Sequence, residues 1–395
     1  MIINDTQMKI LEIVKKSKYI SRIDLAKKLN FTPAAISKII KEFIELGVLK
    51  ETDYGKSTGG RRPIFLTINE QNFGCILGIS FAPSKIFFTV GNIKGDILEI
   101  LSHSISKNED VLSISTKISE KLLKKYINIS IISLVLNGLV NSKDGTSIFS
   151  PHYKWKNIKI KDIFEKKFNL PVLIENDVRA MTLAEKMFGH CEKNQNFVLL
   201  NISEGIGSSI FLNDDLYSGH GFIAGEIGHI IMDRTSIRKC SCGKRGCLEA
   251  EASNSAIINK IISQIKLNNY SFLKETLHKN GTITIEDVLV AVKERDFLST
   301  KASMEAVTTL AHAIDMIISF INPEKIVLVG KIFEESLLLN TLNLELKKVI
   351  LKEQNCEIVV SKIFDKIHNY SSLAVVIHRM FKDKYIGGVL IERKC

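Results

Sequence analysis

Along the first fifty residues the apolar positions recur at helical spacing and are broken at three polar points. Met8, Ile10, Leu11, Ile13 and Val14 predict a first helix over about Asp5 to Lys18. Ser21 is placed to cap a short second helix, Arg22 to Leu29, that turns Ile23, Leu25, Ala26 and Leu29 inward. After Asn30-Phe31, Thr32 caps a third helix with Pro33 at its first position, where a missing N–H costs nothing. Ile36, Ile39, Ile40, Phe43, Ile44 and Leu46 face the core of this helix, and Gly47 stops it. The period then changes: Val48–Glu51 and Ile64–Ile68 predict two short strands joined by a Gly/Ser/Thr-rich tip.

Beyond residue 73 strands and helices alternate. Cys75–Phe81, Lys85–Gly91 and Gly95–Leu101 predict three successive strands, followed by a helix over Ser113–Tyr126 and a buried strand Ile131–Leu136. Val172–Ile174, Phe197–Ile202, Ser208–Leu212 and Ile326–Val329 are further apolar strands. Helices are expected over Val178–Phe188, Ser253–Leu267, Ile285–Lys293 and Ser303–Ile321. This alternation implies an α/β body of two lobes with loops at strand ends meeting in a cleft. No internal repeat of fixed period is visible.

A chain of 395 residues exceeds one ordinary hydrophobic core, so about two or three domains are expected. The expected division is a head over 1–70 and a body over 71–395. The N-terminal MIINDTQMKI lacks the apolar run of a signal peptide, and the stretch around Ile129 to Val140 is too short to span a bilayer. The expectation is therefore a cytoplasmic protein with no membrane partner. Seven cysteines, three of them clustered, do not resemble a secreted disulfide framework.

The net charge is +11, and residues 1–63 carry thirteen Lys/Arg against seven Asp/Glu, more than half of that excess. Such a segment suits displacement of counterions from phosphates. Thr32, Pro33, Ala34, Ala35, Ser37, Lys38 and Lys41 form a small, hydroxylic and basic face near the start of the third helix, the end that helix-turn-helix proteins turn to the major groove. In Gly59-Gly60-Arg61-Arg62-Pro63 the two arginines are placed to enter a minor groove from the wing. The expectation is a winged helix-turn-helix that binds double-stranded DNA; a protein-docking winged helix, and a plain interdomain linker at 59–63, are the alternatives.

Three stretches carry chemistry in the body. His229, Cys240, Cys242 and Cys247 follow the pattern H-x10-C-x-C-x4-C, closed by Gly243 and Gly246. Thiolates and an imidazole are tetrahedral zinc ligands, and a closed set of four implies a structural Zn2+ with no open position. Buried apolar cysteines or a disulfide are the alternatives. Ile174-Glu175-Asn176-Asp177 puts carboxylates at a strand's carboxyl end, where α/β proteins place ligand groups, although Asn-Asp before a helix also reads as a cap. Ser203–Ser209, SEGIGSS, is a glycine-rich turn that can cradle phosphate without being a specific fingerprint.

Together these segments resemble the ROK family of bacterial repressors and sugar kinases, most closely its xylose-repressor-like branch. The resemblance rests on the winged head, GGRRP at 59–63, IENDVRAMTLAE at 174–185, SEGIGSSI, SGHGFIAGEIGH at 218–229 and CSCGKRGCLEAE at 240–251. It implies an actin-like ATPase (ribonuclease H-like) fold in two lobes, the zinc on the four residues just named, and a sugar between the lobes. Matched by position, Asn176, Asp177, Glu226, His229 and Glu249 would hold sugar hydroxyls, and Asp177 would be the vestigial kinase base.

The resemblance fails where nucleotide would bind. Active kinases of the family carry D-x-G-G-T-K after the first strand; here those positions are Ser80, Phe81, Ala82, Pro83, Ser84 and Lys85. A second glycine pair is reduced to Val329-Gly330-Lys331, and Asn137-Gly138 and His152 depart from the sugar-side pattern. The expectation is a non-enzymatic, sugar-responsive repressor, released from a palindromic operator by a sugar such as xylose. It would work as a homodimer, or as a tetramer of two dimers. An ATP-dependent sugar kinase carrying a DNA-binding domain is the alternative, and a zinc-sensing repressor the third.

Overall fold

The computed structural model describes residues 5–17, 19–54, 63–106, 109–351 and 353–382. The head opens with α1 (Asp5–Lys16), α2 (Arg22–Leu29) and α3 (Pro33–Glu45), and strands β1 (Leu49–Tyr54) and β2 (Ile64–Ile68) pair antiparallel behind them. Its predicted signals work locally. Ser21 and Asp24 form a reciprocal capping box on α2, Thr32 accepts from the Ala35 amide at 3.3 Å, and Gly47 follows α3 at φ +70°. Ile10, Leu11, Leu25, Ile36, Ile40 and Phe43 make the core. Two apolar residues expected inside are not there: Ile23, the second residue of the short α2, and Leu46, at the C-cap of α3, are exposed.

A short helix α4 (Glu70–Phe73) leads into β3 (Cys75–Phe81), β4 (Lys85–Gly91), β5 (Ile97–Ser104), α5 (Val111–Lys125) and β6 (Ile129–Leu136). A small meander of β7 (Leu139–Asn141), β8 (Thr146–Ser150) and β9 (Trp155–Ile158) follows, then α6 (Ile160–Phe168), β10 (Val172–Asn176) and α7 (Asp177–Phe188). The chain then forms β11 (Phe197–Ile202), β12 (Ile206–Leu212), β13 (Asp215–Tyr217), α8 (Leu248–Ala252), α9 (Asn254–Lys266) and α10 (Leu273–Asn280). It continues through α11 (Ile285–Lys293), α12 (Phe297–Ile321), β14 (Lys325–Val329), α13 (Ser336–Val349), β15 (Glu357–Val360) and α14 (Ile367–Lys382).

Contacts divide the chain into two compact units: residues up to Leu183 together with those from His368, and Ala184–Ile367. Each unit is built on a five-stranded sheet. In the first the order is β10-β6-β3-β4-β5, with β3-β4-β5 antiparallel and β3-β6-β10 parallel. In the second it is β13-β12-β11-β14-β15, with β11-β12-β13 antiparallel and β11-β14-β15 parallel. Both are therefore third-second-first-fourth-fifth, the ribonuclease H-like order of the expected α/β, actin-like fold. A repeat that the sequence hides is thus plain in the topology. The first sheet is buried around Leu77, Ile79, Phe81, Ile132, Leu134 and Phe164. The second is buried around Val198, Leu200, Ile326 and Leu328, against α12 residues such as Leu310 and Ile314.

Candidate functional site

In the second unit the glycine-bounded loop groups three of the predicted metal ligands, His229, Cys240 and Cys242, and sets the fourth, Cys247, against Cys242. Nδ1 of His229 lies 3.3 Å from Sγ of Cys240, and the Sγ atoms of Cys242 and Cys247 are 3.7 Å apart. The ligand atoms of His229, Cys240 and Cys242 all fall within 4.8 Å of one another. Two sulfurs bound to one tetrahedral zinc at about 2.3 Å would be about 3.8 Å apart, so the spacing suits one ion better than a disulfide. Short backbone bridges, Ile231 to Cys247 and Lys239 to Arg245, fold the loop back on itself. Gly246 makes this possible: it sits at φ +69°, and a Cβ there would strike the Asp233 carbonyl.

Three residues of this unit expected to hold sugar hydroxyls, Glu226, His229 and Glu249, are part of or touch the same loop. While Nδ1 of His229 faces the thiols, Nε2 faces Glu226, 3.8 Å from Oε2. Glu249, in α8, accepts from Ser241 Oγ at 2.8 Å and from the Ile206 amide at 3.3 Å. Burial raises the Glu226 carboxyl above the usual range, the nearby His229 lowers it in part, and the Glu249 charge raises it further. Lys244 donates to the His229 carbonyl at 2.6 Å and so fixes the backbone of that residue.

Asn176 and Asp177 lie in the first unit, at the end of β10 and the start of α7. The parallel register sets Asn176 beside Leu136, which brings Asn137 and Gly138 to the same strand end. Asn137 Nδ2 donates to Asp177 Oδ2 at 3.2 Å. Asn176 Nδ2 donates to Asp177 Oδ1 and to the Gly138 carbonyl, both at 2.9 Å, while its Oδ1 accepts from the Arg179 amide. Asn176 is therefore a helix cap as well as a buttress for Asp177, as the blander alternative held. Glu175 turns away to Arg179 and Ser142. Burial pushes the Asp177 carboxyl up to about 6, against the downward pull of the Asn137, Val178 and Asn176 donors.

The turns after the first strand of each sheet differ from one another. Between β3 and β4 the amides of Ala82 and Lys85 each donate to the other's carbonyl, at 2.9 and 3.3 Å, and Pro83 has no N–H. The Tyr153 hydroxyl also donates to the Ala82 carbonyl, and its ring packs on Phe81 and Trp155. Between β11 and β12 the turn is open in sequence but faces an anion. The Ser203 amide donates to the Gly205 carbonyl, and the Ile206 amide already serves Glu249. A carboxylate thus takes one of the donors of this turn. Tyr153 and Ser241 were invisible in sequence, since a hydroxyl carries no motif of its own.

In the head, Thr32, Pro33, Ala34, Ser37, Lys38 and Lys41 are exposed along one side of α3, and Ala35 is half-buried. Lys41 is 3.8 Å from Glu45. Arg61 and Arg62, expected in the wing, lie outside the described residues.

Comparison with known proteins covers both parts of the chain. The ROK family pattern matches residues 76–373, and a winged helix-turn-helix DNA-binding pattern matches residues 3–50. A protein named xylose repressor from Caldicellulosiruptor bescii is 30% identical over 384 residues, 94% of this chain and 95% of its own. An N-acetylglucosamine repressor from Escherichia coli O157:H7 is 28% identical over 321 residues, 80% of this chain and 77% of its own. A crystal structure described as a ROK family transcriptional regulator, homolog of the E. coli MLC protein, superposes with a TM-score of 0.83. It has 30% identity and covers 98% of this chain and 99% of the other.

Proposed function

The chain belongs to the ROK family, and we propose that it is a sugar-responsive transcriptional repressor, with a DNA-binding head over residues 1–70 and a sugar-binding body over 71–395. The observation that carries this is the span of the likeness: the relative named xylose repressor matches 94% of this chain. The exposed, basic side of α3 supports major-groove contact through Thr32, Pro33, Ala34, Ala35, Ser37, Lys38 and Lys41. Arg61 and Arg62 would add minor-groove contact from the wing. The protein would act in the cytoplasm as a homodimer with one head on each half of a palindromic operator.

Sugar recognition is assigned to Asn176, Asp177, Glu226, His229 and Glu249. Ionised carboxylates accept directional bonds from vicinal hydroxyls, and Asn137 and Asn176 hold Asp177 in place for that. Zn2+ on His229, Cys240, Cys242 and Cys247 would supply a cross-link, leaving Nε2 of His229 free to meet a hydroxyl. The chain is assigned no kinase activity, because the β3–β4 turn pairs its own amides and keeps a proline where phosphate needs donors. Sugar would bind the operator-free form more tightly than the operator-bound form, and operator affinity would fall by that difference.

Fluorescence-polarisation titrations of operator DNA against a pentose, hexose and amino-sugar panel test this. One sugar is expected to weaken binding about tenfold or more. Operator affinity unchanged by every sugar would refute it.

A further inference from the structure

The head belongs to the same compact unit as the first sheet, and α4 links the two. Among the described residues no helix or strand of the head packs extensively along the first sheet. The printed hydrogen bonds of the join centre on α4 and the residues beside it, and Val14, Ser17 and Thr67 line a small cavity with Lys94. The Asn69 amide donates to the Val48 carbonyl at 2.9 Å, and Asn72 Nδ2 donates to the Gly47 carbonyl at 3.1 Å. At the other end the Ser130 hydroxyl donates to the Phe73 carbonyl at 2.6 Å, and the Cys75 amide reaches the Asn128 carbonyl at 2.8 Å.

Glu70 sits in the middle of this join and faces both ways. Its Oε1 is 3.3 Å from Nζ of Lys50, on strand β1 of the head, and its Oε2 is 2.9 Å from Nζ of Lys94, in the β4–β5 turn. All three side chains are about two-thirds covered. A lone surface ion pair contributes little, but one carboxylate shared by two partly covered ammonium groups is a small network across a joint with little other packing. Burial acts to raise the Glu70 carboxyl, and the bonds from Lys94 and Lys50 outweigh it and hold it below the usual range.

We propose that Glu70 is a positioning residue for DNA reading: by bridging Lys50 and Lys94 it fixes the angle of the head on the first sheet. A dimer that must fit two half-sites at once is sensitive to that angle, since a head free to pivot loses the second contact. This extends the repressor assignment by naming where the angle of the head is set, and its operator measurements rest on that assignment.

The test uses Glu70→Gln, Lys94→Met and the double variant in the full-length protein. Lys94 is the informative partner, because it lies in the β4–β5 turn, outside the head, and carries no expected DNA contact. Each single variant is expected to lower operator affinity about fivefold in low salt relative to wild type, with the double variant no worse than either. That ratio should shrink in high salt while the thermal midpoints stay together. Lys94→Met binding operator like wild type, or losses that simply add in the double variant, would overturn the proposal. Amide exchange at Asn69 and Asn72, measured without DNA or sugar, separates the two ideas. Faster exchange in Glu70→Gln supports the latch even if no operator is bound, and unchanged exchange refutes it even if the repressor assignment stands.

Discussion

The two sheets share one strand order, yet the turn after the first strand has opposite character in each. In the first unit, Ala82–Lys85 closes on itself, its amides satisfied within the turn and its flank covered by Tyr153, Phe81 and Trp155. In the second, Ser203–Gly207 keeps two glycines and offers the Ile206 amide to Glu249, whose other oxygen holds Ser241 beside the cysteine cluster. One topology thus supports a sealed turn in one place and a carboxylate platform in the other. The lesson is that the fold supplies strand ends, and the side chains that reach them from elsewhere decide what those ends can bind.

The strongest way to break the contrast is to remove what holds the platform. On the proposed zinc site, Cys247→Ser should release the metal and loosen the loop that carries His229 and supports Glu249, at a cost of about 4 kcal/mol or more in stability. Bound zinc, measured by elemental analysis, is expected to drop from about one ion per chain to near none. A chelator should likewise cause unfolding or aggregation. Reversible switching of DNA binding by micromolar zinc, with the fold intact, would instead make the metal the signal.

Next in size is Asp177→Asn. On the proposed role of Asp177 as a charged acceptor of sugar hydroxyls, its loss should weaken sugar binding by about 2 kcal/mol, some thirtyfold, and leave sugar-free operator binding unchanged. Because burial pushes Asp177 up to about 6, the wild-type carboxylate forms only as the pH rises through that value. Sugar affinity should therefore rise with pH across 5 to 7 and level off, and the variant should show no such rise. The stability term has the opposite sign. The folded carboxyl holds its proton more tightly than the unfolded one, so its contribution is greatest below about pH 4 and falls as pH rises through about 6. Calorimetry on both proteins across this range checks it.

These sites differ in how far the sequence exposes them. The head was legible nearly to the residue, because Ser21, Thr32 and Gly47 are local signals that act within four positions of where they stand. The first-sheet strands and the cysteine spacing were legible for the same reason. Boundaries moved where a cap lay further out: α5 begins at Val111 under Asp110, and α12 at Phe297 under Asp296, well before the expected Ser303. β15, with only half-buried apolar residues, gives no alternation to read, and the β7–β9 meander is too short to show one. The sealing of the β3–β4 turn depends on Tyr153, 71 residues away from Ala82, which no local pattern could announce.

A finer test places a methyl group in the platform. A Cβ at Gly205 would lie 2.6 Å from Oε2 of Glu249, the mobile end of a side chain, so Gly205→Ala should push the carboxylate aside more than strain the turn. Stability should change by about 1 kcal/mol or less, while sugar affinity falls about tenfold. Unchanged sugar affinity, with a crystal structure showing Glu249 displaced, would remove Glu249 from the recognition set.

The smallest effect is expected at the sealed turn. Pro83→Gly restores an N–H and adds freedom to the unfolded chain, so it should cost about 1 kcal/mol of stability. It leaves the Ala82–Lys85 pairing and the Tyr153 contact in place, and neither of these opens a path for phosphate. Sugar affinity and the sugar response of operator binding should match wild type, and no sugar-dependent ADP should be released. If a single restored amide produced nucleotide turnover that Asp177→Asn then abolished, the proline alone would have been holding back an intact kinase, and the two turns would differ in only one donor.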